Sequence, residues 1–347
     1  MIGAEALIRW QHPQKGLLAP AAFLPVIEDH PLAIEIGEWV IESALSQMET
    51  WRAAGLELPV SVNVGAHQLQ QPDFVQRLHA LLLAHPTFRP GDLEIEVLET
   101  SALEDIARVS MVIGACRELG VAFALDDFGT GYSSLTYLKR LAVTVLKIDQ
   151  SFVHDMLEDP DDLAILEGVI GLASAFRRVA IAEGVETMEH GKMLLQLGCD
   201  LAQGYGIARP MPADQMPGWA AAWITPPAWA NCQQISHDNR PLLHAAVEHR
   251  AWIVAEEHYL KGERAAPPAL DPHHCRFGLW LEAERRAGRG DQPGFSAIDT
   301  LHQQIHALAD ELCQLRTEGR AAESVARLGE LYGLCNALIG QMKALEQ

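Results

Sequence analysis

The chain contains 347 residues, of which 49% are hydrophobic, so it is long enough for two domains and apolar enough to bury a full core. General intrinsic disorder is thereby excluded. The formal net charge of −20 at pH 7 excludes a cation-lined surface for polymeric nucleic acid, because such binding requires a surplus of Lys and Arg along the phosphates.

The amino terminus lacks a basic segment followed by an apolar one, and no run of 18 uncharged apolar residues occurs. We therefore expect a soluble, cytoplasmic chain without a membrane segment. The six cysteines are scattered, which favours reduced thiols over a disulfide framework. Eight of the fifteen histidines follow residue 235, and this asymmetry hints at a metal site in the last third of the chain.

The first 215 residues alternate between short β-rich runs and longer amphipathic segments, a spacing that indicates βα units and a mostly parallel sheet. We predict seven strands, at residues 3–9, 60–64, 93–98, 121–126, 145–148, 179–182 and 202–207. The predicted helices include residues 36–54, 74–84, 104–119, 163–175 and 189–197.

Seven strands are one fewer than a closed barrel requires, and the first of them begins almost at Met1. We therefore expect a TIM-like (β/α)8 barrel whose first strand is truncated, with an open doubly wound sheet as the alternative. Polar residues at the ends of six different strands favour the barrel, because barrel sites are assembled from many strand ends. These residues are Asn63, Glu96, Asp126, Asp127, Lys147, Glu183 and Gln203.

Residues 216–235 contain three tryptophans and two adjacent prolines, which is typical of a boundary segment packed against a domain. We therefore interpret this segment as a linker between a first domain at residues 1–215 and a second at 236–347.

The sequence of the second domain predicts only helices. Apolar residues repeat with alternating spacings of three and four over residues 298–315 and again over 328–345, which predicts two long helices. A further helix is expected near residues 242–260, with a connecting loop at 262–272. The second domain is thus predicted to be an all-α bundle.

The predicted mouth of the barrel is rich in hard oxygen ligands, the type that holds Mg²⁺ or Mn²⁺. A lone carboxylate at a strand end is most often only solvated, but five carboxylates and one amide on five strands favour two ions that share a bridging ligand. Lys147 is flanked by apolar residues and needs a charge partner, so we expect it to face the carboxylates or a phosphate. The oxygen ligands are Glu5, Asn63, Glu96, Asp126, Asp127 and Glu183.

Five motifs follow one another over residues 1 to about 213. They are Glu5-Ala6-Leu7-Ile8-Arg9, Asp126-Asp127-Phe128-Gly129-Thr130-Gly131-Tyr132-Ser133-Ser134-Leu135, Leu146-Lys147-Ile148-Asp149, Ala182-Glu183-Gly184-Val185-Glu186-Thr187 and Gln203-Gly204-Tyr205. Together they resemble the signature series of EAL-domain cyclic-di-GMP phosphodiesterases. The resemblance implies hydrolysis of one phosphodiester of cyclic-di-GMP to 5′-pGpG.

The resemblance also implies a metal centre of two Mg²⁺ or Mn²⁺ ions. One ion is expected on Glu5, Asn63, Glu96 and Asp126, and Asp126 bridges to a second ion that Asp127 also holds.

Further roles follow from the same resemblance. Glu183 matches a glutamate near the second ion and the attacking water, as ligand or general base, and Lys147 matches the lysine that positions this water. Glu99 matches the glutamate that anchors the loop after Asp127. Catalysis is thus assigned to Glu183, Lys147 and Asp127, and substrate binding to Arg9, Leu7, Gln203 and Asp149, with Arg9 on a ligand phosphate.

The ligand positions that decay in inactive family members are intact here, which favours an active hydrolase over a cyclic-di-GMP receptor that does not hydrolyse its ligand. The departure from the family lies at the amino end, where members carry a strand ahead of the Glu-Ala-Leu motif. We therefore expect an upstream region ahead of Met1 in the natural protein.

Histidines in the predicted bundle are spaced for metal binding. His302 and His306 are four residues apart and share one helix face, although such a pair is more often only solvated. His249 lies on an earlier helix, and Cys275 precedes an aromatic segment. Three histidines and one thiolate form a closed tetrahedral Zn²⁺ site.

The patterns His-x-x-Trp from His249, Cys-x-Phe-Gly-x-Trp from Cys275 and His-x3-His from His302 resemble the chemoreceptor zinc-binding (CZB) family over residues 240–310. This implies a four-helix fold, often homodimeric, that couples zinc occupancy or cysteine oxidation to an attached domain. A dimerisation device without metal is the alternative. Rival zinc ligands are His244, His258, His273 and His274, of which His274 is the strongest.

Overall fold

The computed structural model describes residues 1–28, 30–103, 105–131, 135–236, 239–288, 290 and 293–345. Glu104, where the sequence predicts a helix start, and Tyr132, Ser133 and Ser134 of the second motif lie outside the described residues. The chain forms two compact units. The first comprises Met1–His154, Glu167–Leu195 and Cys199–Cys232, and the second comprises Asp155–Leu166, Gln196–Gly198 and Gln233–Gln347. The domain limits at 215 and 236 stay a prediction.

The first unit is built on a parallel β-sheet. The strands of the described residues are β1 (Ala4–Ala6), β2 (Trp10–His12), β3 (Gly16–Leu18), β4 (Val60–Asn63), β5 (Leu93–Leu98), β6 (Ala122–Phe128), β7 (Val145–Ile148) and β8 (Val179–Ala182). Six of them form one sheet in the order β1-β4-β5-β6-β7-β8, and all neighbours in it are parallel. The predicted fold class, a TIM-like α/β region followed by a helical region, is confirmed.

Two predictions about strands are wrong. Residues 202–207 contribute only a single parallel bridge between Ala202 and Ala182. The extended chain stops there because Gly204 has a φ of 151° and its carbonyl accepts turn hydrogen bonds from the amides of Ile207 and Ala208. The first strand ends at Ala6, and an antiparallel hairpin of β2 and β3 follows it.

Helices follow most strands of the first sheet. One of them, residues Leu32–Ala53, buries Ile41, Leu45 and Met48 at spacings of four and three residues, so a single apolar stripe holds it in the core. The helices up to residue 230 are α1 (Leu24–Ile27), α2 (Leu32–Ala53), α3 (Ala66–Leu69), α4 (Phe74–Ala84), α5 (Glu99–Leu103), α6 (Ile106–Glu118), α7 (Leu135–Arg140), α8 (Gln150–Asp155), α9 (Pro160–Ala175), α10 (Met188–Leu197), α11 (Met216–Ala222) and α12 (Pro227–Ala230), with 3₁₀ turns at Pro20–Ala22 and Ala213–Gln215.

Residues 216–232 of the predicted linker are partly helical and pack within the first unit, whereas residues 233–235 belong to the second. Trp229 of α12 donates from its indole N–H to the carbonyl of Met188 at 2.9 Å. Its ring also lies against Gly191, where a Cβ would approach the indole to 2.4 Å, so this contact requires glycine.

Five further helices of the described residues lie in the second unit. They are α13 (Arg240–Lys261), α14 (Arg276–Arg286), α15 (Pro293–Thr317), α16 (Ala321–Ala326) and α17 (Leu328–Leu345). Ile298, Ile305 and Leu312 of α15 are fully buried, as the predicted apolar seam requires, whereas Leu301 and Leu308 are only partly buried. Among the described helices, none combines the length with the apolar character needed to cross a bilayer.

A carboxyl group lies inside this helical core. Glu256 of α13 is fully buried, and the thiol of Cys313 on α15 donates to its Oε1 at 2.9 Å. Glu256 Oε2 is buried and has no hydrogen-bond partner among the described residues. Burial raises the pKa of Glu256, and the opposing effects of Cys313 and of the charge of Arg264 do not cancel this. The core therefore favours the neutral acid.

We expect Glu256→Gln to stabilise the bundle by an amount that grows with pH. The unfolded carboxyl ionises near pH 4.5, whereas the folded one keeps its proton to a higher pH. Wild type therefore loses stability as the pH rises from the unfolded to the folded pKa, by about 1.4 kcal/mol for each unit between them. Chemical denaturation followed by circular dichroism at about pH 5 and about pH 8 measures this difference.

Glu257→Gln is the matched control. Glu257 is the next residue of α13, but hydrogen bonds from Lys261 and Tyr332 lower its pKa. Its replacement should give no stabilisation that grows with pH. A difference between E256Q and wild type that stays constant over this pH range would contradict the neutral buried acid.

Candidate functional site

The parallel strands bring ionisable side chains to the carboxyl edge of the sheet. Asn63 at the end of β4 lies in register with Glu96 of β5. Glu96 alternates with the buried residues Ile95 and Val97, so its side chain leaves the opposite face of the strand. The alternation of apolar and acidic residues thus creates a polar cluster beside an apolar core.

Lys147 of β7 is the centre of this cluster and is only 2% exposed. Its Nζ lies 2.6 Å from Glu183 Oε1, 2.7 Å from Glu96 Oε2, 3.2 Å from Asp126 Oδ1 and 3.4 Å from Glu5 Oε2. One ammonium group cannot neutralise four carboxylates, so the cluster has an excess of acidic groups.

Two amides connect the carboxylates. Asn63 Nδ2 donates to Glu5 Oε1 at 2.7 Å, and Gln203 Nε2 donates to Glu5 Oε2 at 3.0 Å and to Glu183 Oε1 at 2.9 Å. Burial alone would raise the pKa of Glu5, but the charge of Lys147 and these hydrogen bonds outweigh it and lower the pKa. Glu5 is therefore held as a carboxylate.

Asp126 and Asp127 are consecutive residues of β6, yet both contribute to the cluster. The register between β6 and β7 shifts between Leu125 and Phe128, and Asp127 has a φ of 52°, which is uncommon for a residue other than glycine. This distortion places oxygens of Asp126, Asp127 and Glu183 within 4.8 Å of one another. The strand itself continues to Phe128, beyond the predicted end at Asp126.

Burial changes the proton affinity of these acids. It raises the pKa of Glu96 to about 8 and that of Glu183 to about 7, although Lys147 opposes both shifts. Burial, together with the charge of Asp126, raises the pKa of Asp127 to about 6. Burial disfavours the ammonium form of Lys147, but the surrounding carboxylates outweigh this and raise its pKa, so it stays charged.

Glu99 holds the loop that follows β6. Its Oε2 accepts a hydrogen bond from the backbone N–H of Gly129 at 2.9 Å. A Cβ at Gly131 would lie 2.6 Å from Glu99 Oε1, so the loop can approach the carboxylate only with glycine at this position. The side chain is therefore placed as a loop anchor.

The residues assigned to substrate binding occupy different positions. Gln203 lies within the cluster, and Asp149 hydrogen-bonds Asp127 at its edge. Arg9 donates from its guanidinium to the adjacent Ile8 carbonyl, and Leu7 is 41% exposed. Neither Arg9 nor Leu7 supplies one of the contacts that hold Lys147.

One residue of the cluster is not among those predicted from the sequence. Ser61 of β4 hydrogen-bonds Glu96 and favours its ionised form. Ser61 precedes Asn63 by two residues and therefore shares its face of the strand. Strand alternation was the signal that identifies it, but a single serine carries too little chemistry to be selected alone.

A second cluster lies in the second unit. The structure brings together His249 of α13, Cys275 at the start of α14, and His302 and His306 of α15, whose potential ligand atoms all lie within 4.8 Å of one another. His302 Nε2 is 3.2 Å from Cys275 Sγ and 3.1 Å from His306 Nε2. His249 Nε2 is buried without a hydrogen-bond partner among the described residues.

Backbone carbonyls fix the orientation of two of these rings. His249 Nδ1 lies 2.8 Å from the carbonyl of Ala245, and His306 Nδ1 lies 2.8 Å from that of Leu270. Because a carbonyl only accepts, Nδ1 carries the hydrogen and Nε2 keeps its lone pair. Burial lowers the pKa of His249 to about 4, that of His302 to about 3 and also that of His306, so the rings are neutral and able to bind a metal.

The rival ligands do not join this cluster. Among the described residues, none of the four belongs to it; they are His244, His258, His273 and His274. His274 Nδ1 lies 2.6 Å from Asp271 Oδ2, and His273 faces Glu282. Adjacency to Cys275 in sequence is misleading here, because the turn before α14 leaves both side chains exposed.

Two models of known protein families match the chain, one in each of the regions that carry a cluster. The family model "EAL domain" matches residues 1–210, and the model "Chemoreceptor zinc-binding domain" matches residues 249–313. The first match covers the sheet with the carboxylate cluster, and the second contains all four residues of the histidine and cysteine cluster.

Named relatives match the first region. MucR of Pseudomonas aeruginosa, a bifunctional diguanylate cyclase/cyclic di-GMP phosphodiesterase, is 42% identical over 217 residues, which are 62% of this chain and 32% of MucR. A cyclic di-GMP phosphodiesterase of the same organism, PA2567, is 38% identical over 62% of this chain and 37% of its own length. The chain thus spans about a third of the length of these relatives.

Solved structures of EAL domains also match the first region of the chain. The MucR phosphodiesterase in complex with c-di-GMP has a TM-score of 0.60 and 41% identity, and covers 62% of this chain and 87% of that one. The FimX EAL domain from Pseudomonas aeruginosa, bound to c-di-GMP, has a TM-score of 0.55 and 27% identity over 59% of this chain and 82% of that one.

We expect Lys147→Met to lower the stability of the first unit by about 3 kcal/mol at neutral pH, because removing the cation leaves buried carboxylates without a charge partner. Added Mg²⁺ should restore part of this loss, since a divalent cation offsets the same charges. Denaturation followed by circular dichroism, with and without Mg²⁺, measures both effects. Lys139→Met, at an exposed lysine of α7, is the control, and an equal loss in the two variants would contradict the central role of Lys147.

Proposed function

The chain belongs to the EAL domain family, and on that basis we propose that it hydrolyses one phosphodiester bond of cyclic di-GMP to give linear 5′-pGpG. The observation that carries the proposal is the group of four carboxylates around one buried lysine, Lys147. The names of two relatives and the ligand of the MucR structure support the choice of substrate.

The cluster fits two divalent cations, Mg²⁺ or Mn²⁺, because carboxylate and amide oxygens are the ligands these ions prefer. Asp126 Oδ1 is buried and lies 3.2 Å from Lys147 Nζ without accepting a hydrogen bond from a described residue, so a bound cation would add a partner to this oxygen. When bound, such ions neutralise the phosphodiester and activate water. One ion would lie on Glu5, Asn63, Glu96 and Asp126, and the other on Asp126 and Asp127, with Glu183 as a further ligand or as the base.

The chain's own groups then have distinct roles. Glu183, with its pKa raised to about 7, is suited to take a proton from water at neutral pH, and Lys147 holds it at 2.6 Å. Gln203 fixes the same carboxylate from the other side. Arg9 provides a guanidinium for a ligand phosphate, and Leu7 provides exposed apolar surface beside it.

A receptor that binds cyclic di-GMP without hydrolysis is the second candidate function. The complete set of acidic and amide groups favours the hydrolase, because a receptor requires no such set. Incubation of the protein with cyclic di-GMP and Mg²⁺, followed by anion-exchange separation, distinguishes the two. Formation of 5′-pGpG supports the hydrolase, and its absence with retained binding supports the receptor.

For the second unit we propose a tetrahedral Zn²⁺ centre formed by His249, Cys275, His302 and His306. Three neutral imidazoles and one sulfur are a donor set that zinc prefers, and His249 Nε2 is buried without a hydrogen-bond partner among the described residues, so its lone pair is available to a metal ion. A dimerisation device without metal is the alternative, and elemental analysis of protein purified without chelator tests it.

The proposal also covers the regulation of hydrolysis and the oligomeric state of the chain. We propose that zinc occupancy or oxidation of Cys275 alters hydrolysis by the first unit, that the chain forms a homodimer, and that it acts in the cytoplasm without binding polymeric nucleic acid. These points rest on the domain match and on the acidic composition. Hydrolysis measured with and without a zinc chelator, alongside molecular mass in solution, tests them.

Asp126→Asn should reduce hydrolysis of cyclic di-GMP by more than about a hundredfold, because it removes charge from the one residue expected to contact both ions. The 5′-pGpG formed per unit time is the measurement. Glu57→Gln, at a carboxylate that is 62% exposed and paired only with Arg89 among the described contacts, is the control and should keep wild-type activity. Normal turnover by pure D126N would end the proposed mechanism.

His302→Ala should lower the zinc content from one ion per chain to nearly none while the first unit stays folded. His302 Nε2 is the atom that lies close to both Cys275 and His306, so its loss opens the centre. His273→Ala removes a nearby exposed histidine outside the cluster and should keep the zinc. Elemental analysis of the three proteins decides, and equal zinc in all of them would refute the ligand assignment.

A further inference from the structure

The segment that connects α13 to α14, residues 262–275, contacts the proposed zinc centre in three ways. It carries the ligand Cys275 at its end. Its Leu270 carbonyl accepts the hydrogen of His306 Nδ1 at 2.8 Å, and its Ala269 carbonyl accepts the indole N–H of Trp252 at 2.8 Å. A segment without helix or strand thus both supplies one ligand and orients another.

Trp252 belongs to α13, three residues after His249, so it extends from nearly the same side of the helix as that ligand. Its ring lies 4.9 Å from the ring of His306. The indole ring therefore packs against a ligand ring, tilted by 50° to it, and its N–H holds the connecting segment. Ala269 and Leu270 are adjacent, so fixing one carbonyl restricts the other.

Trp280 of α14 provides a contrast within the same unit. Its ring stacks on Phe277 at 5.5 Å and packs near Phe295 at 6.0 Å. Its Nε1 is buried and has no hydrogen-bond partner among the residues that the structure describes. Trp280 contributes packing without such a hydrogen bond, whereas Trp252 contributes packing and a directed hydrogen bond.

We propose that Trp252 is a positioning residue for the zinc centre, which acts by holding the Ala269–Leu270 carbonyls where one of them orients His306. The inference rests on the proposed Zn²⁺ site and goes beyond it, since Trp252 is not a ligand. Partners behind the metal ligands set ring orientation and tautomer, and their loss commonly weakens metal binding by about 10- to 100-fold.

Loss of the Trp252 hydrogen bond is expected to weaken zinc binding through the connecting segment. Without the indole donor, the Ala269 carbonyl is free to turn toward water and the Leu270 carbonyl follows it. His306 then loses the acceptor that keeps the hydrogen on Nδ1 and the lone pair on Nε2. Cys275, five residues after Leu270, is also held less firmly, so two of the four ligands are affected.

Trp252→Phe in the full chain tests the proposal, because it keeps an aromatic ring beside His306 and removes the indole N–H donor, while Trp280→Phe makes the same change in ring size. Competition with a chromogenic chelator measures the Zn²⁺ affinity. We expect about tenfold weaker binding in W252F and little change in the matched control Trp280→Phe. Trp252→Met, which removes ring and donor, should weaken binding at least as much as W252F.

Two further readouts separate positioning from general stability. The absorption spectrum of the Co²⁺-substituted protein reports ligand geometry and should change in W252F but not in W280F. Amide hydrogen exchange of residues 262–275 in the zinc-bound protein should rise in W252F only. Circular dichroism of the metal-free variants shows whether both are folded.

The outcomes differ for the two proposals. If wild type binds zinc but W252F matches W280F in zinc affinity and in Co²⁺ spectrum, the role of Trp252 is overturned and the zinc centre is not. Wild type that binds no zinc would overturn the zinc centre and this inference with it. Weaker zinc binding and an altered spectrum in W252F, with folding like that of W280F, supports the proposal.

Discussion

The first unit depends on one interaction, the contact of the buried Lys147 ammonium group with four carboxylates. Burying an ion costs several kcal/mol, and the cost is offset only when partners surround it closely. Lys147 meets this condition through Glu96 and Glu183 at 2.7 and 2.6 Å. The acids, however, outnumber it, and their raised pKa values express the remaining repulsion and desolvation. The fold thus concentrates acidic groups at one edge of the sheet, and under the proposed function divalent cations bound there would allow a chain with a net charge of −20 to accept a phosphodiester.

The cluster of the second unit consists of neutral groups. Its histidines are buried, and burial favours the uncharged ring, so the cluster needs no counter-ion before a metal binds. Backbone carbonyls at Ala245 and Leu270 orient the rings in place of carboxylates. The first unit offers hard oxygen donors, which favour Mg²⁺ or Mn²⁺. The second unit offers nitrogen and sulfur donors, which favour Zn²⁺.

Sequence patterns predicted the features that depend on periodicity and on side-chain type. The parallel sheet, the apolar seam of α15 and the shared helix face of His302 and His306 follow from spacing, whereas the grouping of His249 and Cys275 with this pair was implied by the resemblance to the zinc-binding family. The local conformation of the backbone could not be predicted from these patterns. The bulge that allows Asp126 and Asp127 to share a site, and the turn at Gly204 that ends the last predicted strand, depend on φ values that residue types alone do not specify. The exclusion of His274 likewise depends on the direction of a turn.

Two contacts between α13 and α15 connect the histidine and cysteine cluster with the core of the bundle. His249 lies near His306, and Glu256 lies near Cys313, so both helices advance by seven residues between the two layers and run in the same direction. Seven residues are two turns, about 10 Å of helix, and return a side chain to the same face. Trp252 stands between these layers on α13, and its hydrogen bond extends the same connection to the segment that carries Cys275. Helices α13 and α15 are thus the elements that connect the proposed metal centre to the rest of the bundle.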